Sequence, residues 1–194
     1  PIYRAVAIAQ FNHYVQERVT NPNDTYYSNM WNLNNTGQAG GTVDADIDAP
    51  EAWDISTGGL TSMGDTIVVA VIDGGFQLTH VDLNFWKNYN EIPANGIDDD
   101  GNGYIDDVNG WNAIAGNGTI GSNAHGTHVA GTVGAKGNNS AGTCGINWNV
   151  KVMPVVGSTS LESEAVAAYS YVRDNRRLYN QTNGAKGAFI VSTN

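Results

Sequence analysis

Cysteine is almost absent from this chain. The single Cys144 excludes an internal disulfide framework and any cysteine-based zinc site. Basic residues are scarce too: 9 Lys and Arg stand against 19 Asp and Glu, a formal net charge of −10. A phosphate-binding surface needs the opposite sign, so no nucleic-acid partner is expected. Charged residues of both signs reach only 14%, below the usual quarter. The composition fits neither coiled coil nor collagen. No apolar run approaches the 18 residues of a spanning helix, and no membrane partner is expected. The chain opens at Pro1 without Met or a visible signal peptide, which reads as a processed or excised product.

What is present is enough for a core. Hydrophobic residues make up 41% of 194, room for one domain or the larger part of one. The 24 glycines point to a loop-rich domain. The acidic excess suits hard cations.

Residues 1–22 carry a short apolar patch, Ala5 to Ile8, without period, and read as an extension or the end of a preceding region. The stretch Asn23 to Gly59 is rich in Asn and Gly and reads as surface wrapping. A short helix is expected at Ala49–Trp53, with Asp48 as its cap. The clearest strand is Thr66 to Ile72, a continuous β-branched run that suits a strand buried on both faces. Further strands are expected at Val150–Val156 and Ala188–Val191. Between them, Leu161, Ala165, Ala168, Tyr169 and Val172 fall on one helical face. Thr159-x-x-Glu162 suggests a capping box, and Asn183-Gly184 a stop. Another helix is expected from His125 to Ala135. Strands alternating with helices imply an α/β fold, a three-layer parallel sheet with helices on both faces.

Three features can carry chemistry. Asp73 follows the first strand, at the carboxyl end where open α/β sheets place their sites, and Gly74-Gly75 lets the chain turn away from its carboxylate. The alternative is a turn-capping aspartate. In the run Ser122 to Thr132, His125 opens the helix of small residues. A helix amino terminus disfavours imidazolium, so His125 would stay neutral and able to accept a proton. His125 and His128 are three apart and lack the intervening Glu of the metalloprotease helix. His128 reads as a packed structural histidine. The third feature is Asp98-Asp99-Asp100-Gly101-Asn102-Gly103-Tyr104-Ile105-Asp106-Asp107. Asp98, Asp100 and Asn102 alternate so that their oxygens converge, and Tyr104 can offer its carbonyl, as in a calcium loop. Position 12 is Asn109 rather than Glu, so Asp106 or Asp107 must close the site. A structural Ca2+ is expected there.

Together these runs resemble the subtilisin-like serine peptidases, the subtilases. Val69-Ala70-Val71-Ile72-Asp73-Gly74-Gly75 is similar to the family's catalytic-aspartate motif, with Gly74 where a hydroxyl residue is usual. His125-Gly126-Thr127-His128-Val129-Ala130-Gly131-Thr132 matches the catalytic-histidine motif unbroken. Met30 to Leu33 with Gly37-Gln38, and Ala45 through Asp54, resemble the domain's opening, and Thr79 to Leu83 resembles the family's H-P-D-L segment with Val81 in place of Pro. The resemblance covers about Asp24 to Asn194, making residues 23–194 the N-terminal part of a peptidase domain. It implies a secreted serine endopeptidase with a polypeptide substrate. Asp73 would orient His125, and His125 would activate a serine. Peptide would bind extended beside strand edges. The segment from Gly157 to Leu161, with Gly157, Ser158 and Ser160, would form part of the substrate cleft. Asp82 and Asn139 align with another structural calcium site of the family.

The family's nucleophile run, G-T-S-x-A-x-P, does not occur in the sequence. The expectation is a truncated domain, inactive alone, whose Ser-bearing remainder is a partner as a second chain or a continuation. The alternative is a catalytically inert, calcium-dependent binding module on the same scaffold. A third reading places a hydrolytic metal on Asp73, His125 and His128.

Overall fold

Ile67-Val68-Val69-Ala70-Val71-Ile72-Asp73 forms strand β1, and its side chains are buried almost throughout. A strand needs apolar residues at every position only when both of its faces are covered. The computed structural model describes residues 19–157 and 161–194 and places β1 inside a parallel sheet. The other strands are β2 (Trp111–Asn112), β3 (Lys151–Val156) and β4 (Phe189–Thr193), in the order β2-β3-β1-β4. Asp73 pairs in register with Val156, so β1 and β3 end at the same edge.

The described residues also form a short 3-10 helix (Tyr27–Asn29) and three α-helices: α1 (Ala49–Trp53), α2 (Ala124–Gly134) and α3 (Glu162–Gln181). On one face of the sheet, Val68, Ala70, Met153 and Val155 pack against Ala168, Tyr171 and Val172 of α3. On the other, Val71 and Val152 pack against Ala130 of α2 and Phe76. The expected three layers are therefore present. A third cluster lies under the wrapping segment. Leu33, Ala49, Trp53, Cys144 and Trp148 are buried together, the two indole rings 4.6 Å apart.

Several details differ from the sequence reading. The buried face of α3 is Ala168, Tyr171, Val172 and Asn175, whereas Leu161 and Tyr169 are exposed. The face is rotated because the Tyr171 hydroxyl bonds Asp107 in the acidic loop. Leu161 is the N-cap of α3 and makes no side-chain capping bond. Thr159 lies outside the described residues. Asp48 precedes α1 with a left-handed backbone (φ 52°) and also gives no capping bond. Of the extension over residues 1–22, only residues 19–22 are described.

Candidate active site

Asp73 is the last residue of β1 and is 7% exposed. Its Oδ1 accepts the Gly74 N–H at 2.7 Å. Its Oδ2 lies 2.7 Å from His125 Nδ1. Both carboxylate oxygens are thus partnered without a hydroxyl at position 74. The turn has to contain glycine: Gly75 has φ 144°, and a Cβ there would collide with the Gly121 carbonyl. A Cβ on Gly126 would likewise strike the Gly75 carbonyl and the Asp73 side chain. These two glycines bring the first turn of α2 against the end of β1. The Thr127 hydroxyl holds the approach, accepting the Gln77 N–H at 2.8 Å.

His125 is the second residue of α2. Its side chain is 77% exposed, so the ring is reachable from solvent while Nδ1 stays on the buried carboxylate. With Nδ1 on the carboxylate, Nε2 is the ring nitrogen left free on the solvent side.

His128 is exposed rather than packed beneath the helix, because its side of α2 points away from the sheet. Among the described residues, the only His, Cys, Asp or Glu group close enough to hold one ion is Glu91, Asp100 and Asp107. Asp73, His125 and His128 do not form such a group, and the hydrolytic-metal reading has no geometric basis.

Gly157 follows β3, and its N–H reaches the Asp73 carbonyl at 3.2 Å. A Cβ on Gly157 would meet the Ala168 Cβ at 2.5 Å, so glycine there lets α3 approach the sheet edge. Ser158 and Ser160 lie outside the described residues.

The acidic loop is built from more than its linear motif. Oxygens of Glu91, Asp100 and Asp107 lie within 4.8 Å of one another, and all three residues are buried. Of the two aspartates that the sequence leaves open, it is Asp107 whose carboxylate lies in this group. Asp106 turns away to accept the Asn95 and Gly96 N–H groups, each at 3.1 Å. Asp98 folds onto its own loop, accepting the Gly101, Asn102 and Gly103 N–H groups. Asn102 donates to Asp107 Oδ2 at 3.0 Å, and the Tyr104 hydroxyl donates to Asp174 at 3.1 Å. Burial pushes the Asp107 carboxyl up to about 6, against the hydrogen bonds from Tyr171, Asn88 and Asn102. Burial also raises Glu91. Three buried carboxyls with no basic side chain among them form an all-oxygen donor set that fits a hard cation.

The place of Glu91 in this carboxylate group was not legible in the sequence. Glu91 lies seven residues before the motif and meets it only through the fold. Its Oε1 accepts the Asp99 and Asp100 N–H groups, and its Oε2 accepts that of Asp106. The aligned pair Asp82 and Asn139 is also in contact, Asn139 Nδ2 donating to Asp82 Oδ1 at 2.6 Å.

The subtilase family model matches residues 64–191. An extracellular protease of Xanthomonas campestris is 37% identical over 164 residues, covering 80% of this chain and 25% of that protein. The subtilisin-like protease 1 of Plasmodium berghei is 41% identical over 97 residues, covering 48% of this chain and 16% of that protein. The chain thus spans a quarter or less of the length of these curated relatives. In the crystal structure of the Aeromonas sobria serine protease with its chaperone, the protease chain superposes with a TM-score of 0.54 at 18% identity. That match covers 92% of this chain and 33% of the other, and it speaks for the fold. With more than half of its residues matched by the family model, and with Asp73 and His125 in contact at the sheet edge, the chain belongs to the subtilase family.

Proposed function

We propose that this chain supplies the acid–base half of a serine endopeptidase site. The observation that carries the reading is the 2.7 Å contact between Asp73 Oδ2 and His125 Nδ1. His125 donates Nδ1–H to Asp73, which leaves the Nε2 lone pair facing solvent. Nε2 takes the proton of a serine hydroxyl as it attacks a peptide carbonyl, then gives that proton to the leaving amine. Asp73 holds the tautomer and stabilises the charge. The run G-T-S-x-A-x-P is absent from these 194 residues, so the nucleophile comes from outside them, on a continuous or a second chain. The substrate is a polypeptide bound in extended form along the segment that begins at Gly157.

Glu91, Asp100 and Asp107 would hold a structural calcium ion, with Asp98, Asn102 and Asp106 shaping the loop around it. Bound there, the ion would neutralise buried carboxylates and tie the loop to the sheet. The protein acts outside the cell, a reading supported by its acidic composition and by the extracellular Xanthomonas relative.

The absent serine run favours a second reading, an inert calcium-dependent binding module. The two separate in a polypeptide that includes a G-T-S segment. As a peptidase, it loses about 10⁴-fold in kcat on Asp73→Asn, with KM nearly unchanged. As a binding module, it shows no turnover before substitution and retains calcium-dependent peptide binding.

A further inference from the structure

Asn123 stands where the two halves of the pair meet. Its backbone is extended (φ −144°, ψ 132°), immediately before α2. Its Oδ1 accepts the His125 N–H at 2.8 Å. Its carbonyl accepts the Thr127 hydroxyl at 2.6 Å and the Thr127 N–H at 3.2 Å. The other end of the amide rests against the Asp73 turn. A Cβ added to Gly74 would stand 3.1 Å from Asn123 Nδ2, and one added to Gly75 would stand 3.2 Å from Asn123 Cβ. Asn123 therefore occupies space beside the position that carries a hydroxyl side chain in the resembled motif.

We propose that Asn123 is the positioning residue of the Asp73–His125 pair, fixing the His125 backbone through Oδ1 while its amide packs against Gly74. The imidazole is 77% exposed, so few neighbours hold the ring in place. Its direction comes from the backbone that carries it and from Asp73. Hydrogen bonds weaken steeply off axis, so a small drift of the His125 backbone costs the Nδ1 contact. The inference rests on the reading of Asp73 and His125 as an acid–base pair, and the test separates the two.

The test reads the tautomer of neutral His125 from ring-nitrogen chemical shifts in the histidine-labelled 194-residue protein. It is run at about pH 8.5, above the ordinary imidazole range. His125→Gln supplies the assignment. Among the described residues, Asp73 is the only charged group within ion-pair distance of this ring. The unsubstituted protein is expected to hold the Nδ1–H form, and Asp73→Ala to release it. If Asp73→Ala changes nothing, the acid–base pair itself fails and the Asn123 proposal falls with it. Asn123→Ala is expected to lower the ratio of Nδ1–H to Nε2–H forms by about fivefold, the scale of one net hydrogen bond. Asn123→Ser keeps a capping oxygen and is expected to recover the ratio. If Asn123→Ala does not fold, Asn123→Gly, well tolerated at a cap, takes its place. A response to Asp73→Ala with an unchanged ratio in Asn123→Ala or Asn123→Gly would overturn the proposal while leaving the pair intact. Failure of serine to recover the ratio would overturn it equally. A merely structural cap would lower the melting temperature and leave the tautomer alone.

Discussion

Asp73 and His125 are 52 positions apart in sequence and 2.7 Å apart in space. Glycines make that possible, since any side chain at Gly75 or Gly126 would occupy the gap between β1 and α2. Cys144 is the opposite kind of residue. It is 1% exposed, and burial pushes its thiol up to about 12. Because the thiolate is the reactive form, iodoacetamide at pH 8 is expected to leave native Cys144 unmodified. Labelling should become fast once urea exposes the thiol and returns it to about 8.5. Rapid stoichiometric labelling of the native protein, followed by mass, would contradict the packing around Trp53 and Trp148. At this scale the sequence was readable where chemistry is encoded locally. Val69 to Gly75 and Ala124 to Thr132 each carry one member of the Asp73–His125 pair and the small residues that seat it. Glu91 was not readable, because its partners Asp100 and Asp107 reach it only after the chain has folded back. Asp98 and Asp106 fit the loop spacing, yet their oxygens lie outside the group that Glu91, Asp100 and Asp107 form.

Helix α3 does more than cover the sheet. Tyr171 is fully buried, and its hydroxyl donates to Asp107 Oδ2 at 2.7 Å. Lys186, in the turn after the helix, donates to the Asp100 carbonyl at 2.7 Å. The Tyr104, Trp111 and Tyr171 rings pack together between loop and helix. The acidic loop is thus fastened to α3 and to the turn leading into β4. Tyr171→Phe removes one buried hydrogen bond to a charged group and is expected to cost about 1.5–3 kcal/mol of stability by urea unfolding. No measurable change would mean that loop and helix are not fastened there. The apolar spacing from Leu161 to Val172 foretold the helix but not its rotation. Spacing reports which residues are apolar, whereas the buried polar contact of Tyr171 decides which face turns inward. The two-residue strand β2 had no signature, being too short to show a period.

Across the whole molecule, a net charge of −10 is concentrated in part on buried carboxyls that repel one another. Calcium at about 100 times its dissociation constant is expected to add about 2.7 kcal/mol, or about 5–10 °C in melting temperature. A chelator should reverse the gain, and Glu91→Gln should abolish most of it. A melting temperature indifferent to calcium would count against the site. The alternation of strands and helices foretold three layers, but the order β2-β3-β1-β4 follows from how crossovers pack and leaves no mark in any one segment.

The central claim is that Asp73 and His125 serve a serine carried outside these 194 residues. The most direct measurement is peptide mapping by mass after treatment with a serine-directed phosphonate, on the 194-residue chain and on the active protein that contains it. The account expects no adduct on the chain alone. In the active protein it expects one adduct, on the serine of a G-T-S peptide, which disappears on His125→Ala. An adduct on a residue of this chain, or labelling that survives His125→Ala, would contradict it.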